Sequence, residues 1–130
     1  MFTPTNQSLR GAACPGTNGP PSLAADEPWL GNPDFFLDVV SARRDSICAI
    51  GIAAATQSLR IGNCSYYLQG PVWVGLAATN AWGYATTRFP IPNDPALRGS
   101  TFFAQGFVLD PGNAVLGLAF TGSVRLVIGD

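Results

Sequence analysis

The chain has 130 residues, 12% of them charged, and a formal net charge of −1; its basic residues are seven arginines, with no lysine and no histidine. This length fits one domain with a single core, and the scattered arginines give no basic surface for a row of phosphates, so we do not expect nucleic acid as a partner. Hydrophobic residues make up 47% of the sequence, which excludes disorder, while Gly, Pro, Arg or Asp interrupts every apolar run, so we expect no membrane span.

The amino-terminal part of the chain is predicted to be poor in regular structure. Residues 1–10 form an extension that precedes a single domain at 11–130. Within that domain, residues 11–34 are rich in proline and glycine, which favour turns and extended backbone over helix. We therefore expect residues 11–34 to form an ordered, loop-rich arm that lies over the body of the domain.

The rest of the chain is predicted to form short strands, because β-branched and aromatic residues occur in runs separated by turn residues. The predicted strands are 35–42, 46–55, 58–62, 65–69, 72–79, 84–91, 100–110, 114–120 and 123–129. The turns between them, such as 43–45, 80–83 and 121–122, are short, and short turns join antiparallel neighbours. A cap, a proline and a closing glycine at 93–99 predict one or two helical turns.

These elements predict an all-β fold, namely an antiparallel β-sandwich of eight or nine short strands, with jelly-roll connections as one option. The clearest face is at the carboxyl end, where apolar and polar residues alternate. The apolar set is Val124, Leu126 and Ile128, and Ser123 and Arg125 lie between them. A period of two places the apolar set in the core and the other face toward solvent or a partner.

The three cysteines have different surroundings in the sequence. Cys48 lies inside an apolar run, which predicts a buried free thiol. Cys14 and Cys64 lie beside loop residues, where a disulfide could form without disturbing a sheet, and closing a loop of this length stabilises a fold by about 4 kcal/mol. The alternative is two unpaired thiols. A metal site is disfavoured, because the chain has no histidine and no pair of closely spaced cysteines.

The residues offer little catalytic chemistry, and we expect neither an enzyme nor a cofactor. Without histidine and lysine, the usual general base and the Schiff-base amine are absent. The spacing of the acidic residues does not indicate the facing carboxylates of a glycosidase. Asp94 and Asp110 follow turn patterns that could bind calcium through oxygen ligands, but turn formation by Asp side chains is the simpler interpretation.

Three aromatic residues are candidates for binding a sugar ring. Trp82 and Tyr84 are two residues apart near the start of one predicted strand, and Trp73 lies on the preceding strand of a predicted hairpin. Together they could form a flat stacking platform for a polysaccharide. Packing in the core or at its rim is the competing interpretation.

Several distinctive segments follow one another along the chain. They are GAACPGTNGPPSL, PWLGNPDFFLDV, IGNCSYYL, FPIPNDPALRGSTFFAQGFVLDPGN and a closing LVIG. This succession resembles a β-domain that recurs near the carboxyl ends of large secreted bacterial proteins, and the resemblance covers residues 11–130. It implies export and a cystine between Cys14 and Cys64, and it implies no established activity.

The sequence as a whole favours a non-catalytic extracellular module with a structural or adhesive role. The segments VWVGLAAT (72–79) and GSTFFAQGFVL (99–109) contain no charged residue, so either of them would be an unprotected apolar surface at an edge or on an outer face. We expect further copies of the chain to cover it, in an oligomer or polymer. The residues expected to take part are Phe2, Pro4, Phe102, Phe103 and Phe107. The alternatives are a carbohydrate-binding module, and a monomer whose arm folds over its own edge.

Overall fold

The computed structural model of the chain describes residues 6–10, 13–62, 64–112 and 117–129, with the backbone alone for 6–10. It is an all-β structure with one short 3-10 helix at Pro95–Leu97. The strands are β1 (Asn6–Arg10), β2 (Ser22–Ala25), β3 (Phe36–Val40), β4 (Ile47–Ala53), β5 (Ala55–Ile61), β6 (Cys64–Gln69), β7 (Val72–Ala78), β8 (Ala85–Arg88), β9 (Thr101–Leu109) and β10 (Leu118–Val127).

The strands form three antiparallel layers. The large sheet has five strands in the order β1-β10-β9-β4-β7, the small sheet has the order β2-β3-β8, and β5 and β6 form a separate hairpin. The links β1–β2, β3–β4, β7–β8 and β8–β9 each cross between the large and the small sheet. The predicted antiparallel β-sandwich is confirmed.

The main core lies between the large and the small sheet, and strand periodicity decides which side chains enter it. On β9, Ala104 and Val108 point into this core, and on β3, Leu37 and Val39 meet them from the other side. The cluster comprises Leu23, Phe35, Leu37, Val39, Ala42, Cys48, Ile50, Ala85, Ile91, Ala104, Val108, Ala119, Val124, Leu126 and Ile128.

A second, smaller core lies on the outer face of the large sheet, beneath the β5–β6 hairpin. Phe107 of β9 and Phe120 of β10 pack there against Leu68 of β6. Gln105, also on this face, accepts a hydrogen bond from the Tyr67 amide at 2.9 Å and donates one to the Ser65 carbonyl at 2.9 Å. The hairpin therefore covers part of the outer face of the large sheet.

The sequence predicts two strands at 114–120 and 123–129 with a turn at 121–122. Residues 114–116 lie outside the described residues, and over the described part of these segments the prediction of two strands is wrong. Leu118–Val127 is one strand with a bulge, where the pairing with β9 shifts between Phe120 and Ser123. The Thr121 hydroxyl accepts a hydrogen bond from the Gly106 amide at 2.9 Å within the bulge. Because the bulge adds a residue, it keeps the following apolar positions on the core side.

The predicted core face of this segment is confirmed. Leu126 is completely buried, Val124 and Ile128 are buried with it, and Arg125 is partly exposed. The predicted helix is also confirmed, as a single turn. The side chain of Asp94 caps it by accepting a hydrogen bond from the Ala96 amide at 3.0 Å.

Two predictions about the amino-terminal part need correction. The loop-rich arm at 11–34 contains β2, because Leu23 packs into the main core and pairs with Val39 of β3. Part of the extension at 1–10 is strand β1, which pairs with β10 of the same chain in the register Asn6 to Val127. This extension therefore lies, over residues 6–10, on its own domain.

Candidate functional site

The disulfide between Cys14 and Cys64 ties the arm to the hairpin, and its prediction is confirmed. The two Cα atoms are 4.9 Å apart, and both residues belong to the second core. The amide of Cys14 also donates a hydrogen bond to the Phe120 carbonyl at 2.9 Å. The disulfide and this hydrogen bond together therefore join the arm, the hairpin and β10 at Cys14.

Cys48 is a buried free thiol in the main core, as the sequence predicts. Burial raises the pKa of this thiol above its ordinary value, and a backbone hydrogen bond from Ala77 offsets part of the effect. A buried thiol with a raised pKa is unreactive, so its role is packing.

Asp110 is almost completely buried, and its carboxylate is held by hydrogen bonds. Oδ2 accepts from the Thr17 amide at 2.6 Å, and Oδ1 accepts from the Thr17 hydroxyl at 2.6 Å and from the Gly112 amide at 2.9 Å. Burial by itself raises the pKa of Asp110, but these bonds and the charge of Arg43 outweigh it and leave the pKa below its ordinary value. Asp110 therefore anchors the arm.

Metal ligation gains no support from the acidic residues. Asp94 is occupied as a helix cap and Asp110 as an anchor, which agrees with the turn interpretation of both. Among the residues that the structure describes, no three acidic or cysteine side chains form a group that could hold a metal ion.

Strand β7 is the open edge of the large sheet. It pairs with β4 on one side, and none of the other described strands pairs with its opposite edge. Its sequence, VWVGLAA, contains no charged residue. Val72, Trp73 and Leu76 have exposed fractions of 63%, 56% and 77%. An edge strand presents unpaired amides and carbonyls, and charged side chains or proline usually protect it. On β7, neither protection is present.

An apolar groove of about 460 Å³ adjoins this edge on the outer face of the large sheet, next to the area that the hairpin covers. Its floor and walls are formed by Ile47, Cys48, Ala49, Tyr66, Trp73, Leu76, Phe107, Leu109, Leu118 and Phe120. Ile47, Leu76 and Leu109 are exposed there. Edge and groove together form one continuous apolar surface, which we call the β7 surface.

Aromatic packing fixes the shape of the β7 surface. The ring of Phe107 lies 5.4 Å from that of Trp73, 5.8 Å from that of Tyr66 and 4.8 Å from that of Phe120. The glycine at position 51 allows the Trp73 ring to lie close to the backbone of β4, because a β-carbon at Gly51 would be only 3.1 Å from that ring. Desolvation raises the pKa of the Tyr66 hydroxyl above its ordinary value. The surface is therefore preformed.

The residues predicted to take part in assembly do not all lie on the β7 surface. Phe107 forms its floor, and Phe103 is partly buried in the second core on the same face of β9. Phe102 points the other way, packs against the main core and lines a second apolar pocket of about 320 Å³. Phe2 and Pro4 lie outside the described residues.

The predicted stacking platform of three aromatics is not formed. β7 and β8 belong to different sheets, so the predicted hairpin is wrong. Trp73 lies five residues before the end of β7, about 16 Å at the usual rise of a strand. Trp82 lies in the turn beyond that end, and Tyr84 directly precedes β8. The structure thus separates Trp73 from the other two.

Sequence reasoning missed two groups of surface residues. One group is Ile47, Leu76 and Leu109 on the β7 surface. Their alternation with buried neighbours indicates that they lie on the outer face of the large sheet, but it does not indicate that this part of the face is exposed to solvent. The other is Asp38 and Thr86 on the small sheet, which pair across β3 and β8. Pairing between strands so distant in sequence leaves no local signal.

Compared with known proteins, the chain matches no family model, no curated protein and no solved structure. In the part of the chain that the structure describes, no helix has the length and apolar character needed to cross a membrane. The chemistry of the described surfaces is therefore the basis for a function.

Proposed function

We propose that this chain is a non-catalytic, exported structural or adhesive module that associates with copies of itself through the β7 surface. The observation that carries the proposal is the edge strand β7, which is uncharged and open and stands beside an exposed apolar groove. Its backbone groups favour pairing with another strand, and its side chains favour burial.

Pairing of β7 with β7 of a second copy satisfies both requirements. An antiparallel pair of identical strands is related by a twofold axis, the commonest symmetry of homo-oligomers. It joins two five-stranded sheets into one and brings the two grooves side by side. Trp73 and Leu76, the largest exposed apolar side chains of β7, would then be covered.

Two further observations support the export and the structural role. The Cys14–Cys64 disulfide is typical of proteins from oxidising compartments. The resemblance to a β-domain of secreted bacterial proteins points the same way. For a non-catalytic role, the support is chemical: the chain has no histidine or lysine, and the buried carboxylate of Asp110 serves as an anchor.

The test is the mass of the particle in solution, measured by light scattering at micromolar concentration. We expect the wild-type chain to be dimeric. Leu76→Lys should make it monomeric, because it places a charge on the edge strand. Leu59→Lys is the matched control, since Leu59 is also an exposed leucine on a strand, but lies on β5 away from the groove.

Both substitutions are at exposed positions, so thermal unfolding should remain close to wild type and show that both variants fold. A wild-type chain that is monomeric at micromolar concentration would overturn the proposal. So would an equal effect of the two lysines on the measured mass.

A further inference from the structure

We propose that the turn at 80–84 and the outer face of the small sheet form a binding site for a neutral polysaccharide. Trp82 supplies the stacking surface, and Tyr84, Thr86 and Asp38 supply the polar contacts. This site lies apart from the β7 surface and adds a ligand to the proposed structural role.

Trp82 is the most exposed large hydrophobic side chain in the described part of the protein, with 80% of its surface accessible. The turn that carries it is tightly held. Oδ1 of Asn80 accepts hydrogen bonds from the Trp82 amide at 2.9 Å and from the Tyr84 amide at 3.1 Å. The backbone of Asn80 adds bonds to Tyr84 at 2.9 Å and to Gly83 at 3.0 Å. Trp82 is thus presented by a rigid turn.

The same turn is anchored to the body of the domain. The Gly83 carbonyl accepts from the Ala42 amide at 3.0 Å, and the Asn80 carbonyl accepts from the Asp45 amide at 3.2 Å. Gly83 has a φ of 73°, and a β-carbon at this position would collide with the Ala42 carbonyl. The turn therefore cannot move to bury Trp82 without breaking these contacts. Preorganisation of this kind lowers the entropy that binding costs.

Hydrogen-bonding groups lie directly beside this turn. The Thr86 hydroxyl oxygen is 2.8 Å from Oδ1 of Asp38 and 3.1 Å from the hydroxyl oxygen of Tyr84. All three side chains are on the outer face of the small sheet, where Asp38 pairs with Thr86. Trp82 is two residues before Tyr84, so their Cα atoms are at most about 7 Å apart. This distance suits a ligand of one or two sugar rings.

The chemistry of the site selects the class of ligand. A pyranose ring has an apolar face that stacks on an indole and hydroxyl groups that donate to carboxylates and exchange hydrogen bonds with hydroxyls. On this face, the guanidinium of Arg88 lies 3.9 Å from the carboxylate of Asp34. Arg43 and Arg44 precede Asp45 in the segment that bonds the turn, whereas the carboxylate of Asp38 lies directly among the polar contacts. An acidic polysaccharide would meet this carboxylate there, so a neutral one is favoured.

The experiment is affinity electrophoresis in native gels that contain hydroxyethylcellulose, arabinoxylan, galactomannan or the acidic polysaccharide alginate. We expect at least one neutral polysaccharide to retard the wild-type chain, and alginate not to retard it. Trp82→Ala should raise the dissociation constant for that polysaccharide about tenfold or more. Thr86→Val should raise the same dissociation constant about threefold to tenfold, because it removes one hydroxyl that would hydrogen-bond the sugar.

Trp29→Ala is the matched control, since Trp29 is an exposed tryptophan between β2 and β3, outside both this site and the β7 surface. It should leave the retardation unchanged. The proposal is overturned if no neutral polysaccharide retards the wild-type chain, if alginate retards it more strongly, or if Trp29→Ala and Trp82→Ala have equal effects. Circular dichroism of each variant confirms that it is folded, so a loss of binding reports on the site.

Discussion

The carboxylate of Asp110 shows how one buried charge can organise a loop. Its hydrogen bonds from Thr17 cross 93 positions of sequence and bring the arm onto the turn after β9. Glycine is needed at Gly16, because a β-carbon there would collide with Oδ2 of Asp110. The charge is stable in this setting because three donors replace its lost hydration.

The ionisation of the Asp110 carboxyl group should make the free energy of unfolding depend on pH. The pKa is lower in the folded chain than the ordinary carboxyl value of about 3.9 that applies to the unfolded chain. As pH falls below about 3.9, the unfolded chain therefore takes up the proton first, and the contribution of Asp110 to the free energy of unfolding is lost as pH falls through the folded pKa. Urea unfolding measured from pH 7 to pH 2 tests this.

Asp110→Asn should lower the free energy of unfolding at pH 7 by about 1–3 kcal/mol, since an amide in place of one oxygen puts a donor against a donor. The variant should also lose part of the acid dependence. Asp94→Asn is the control, because asparagine caps helices as well as aspartate does. Equal losses in the two variants would mean that Asp110 is not the anchor.

The β10 strand shows how far periodicity predicts an element. Alternation placed Val124 and Leu126 correctly in the core, because burial on one face leaves a period-two pattern. The same pattern could not show that Thr121 and Gly122 form a bulge instead of a turn. That choice depends on Gly106 and Gln105 of the neighbouring strand, which bond Thr121.

The register of β10 gives a prediction with a built-in control. Leu126→Ala should lower the free energy of unfolding by about 2–5 kcal/mol, because it leaves a cavity in the main core. Arg125→Ala should have little effect, because Arg125 is partly exposed on the other face. The urea midpoints of the two variants measure this. Midpoints lowered by the same amount would place the wrong face of β10 in the core, since a slip of one residue exchanges the faces.

Sheet membership was the part of the fold that sequence could not provide. The short turns at 43–45 and 80–83 suggested hairpins, yet each carries the chain from one sheet to the other. A turn sets the length of a connection, and long-range packing decides where the next strand goes. Strand β2 was missed for a similar reason: Ser22–Ala25 has weak strand propensity, and its pairing with β3 determines its conformation.

The candidate surfaces were predictable to different degrees. The absence of charge from residues 72–79 is visible in the sequence, and it predicts that this segment would be unprotected if it lay at an edge. Its location at the edge follows only from the order of the large sheet. For the aromatic trio, the sequence supplied the residues, but the crossing of β7 and β8 between sheets separated Trp73 from Trp82 and Tyr84.

The two edges of the large sheet differ, and this difference should limit assembly. At one edge is β7, uncharged and apolar. At the other is β1, which is only five residues long, polar in sequence and ends in an arginine. Short strands and charged residues discourage further pairing. If β7 is the one edge of the large sheet that pairs, as we propose, two copies can pair only with each other, so we expect growth to close at a dimer.

Deleting residues 1–10 should therefore change a closed assembly into an open one. The deletion removes β1 and uncovers the edge of β10 from Ser123 to Val127, which carries a single charged residue. Each copy would then have two reactive edges, and pairing of β7 with β10 of the next copy leaves an edge free at each end. Light scattering should show masses that increase with concentration. Adding Leu76→Lys to the truncated chain blocks one edge and should return it to dimers at most. A truncated chain with the mass of the full-length chain, or polymers that persist with the lysine in place, would contradict the assignment of β7 as the reactive edge.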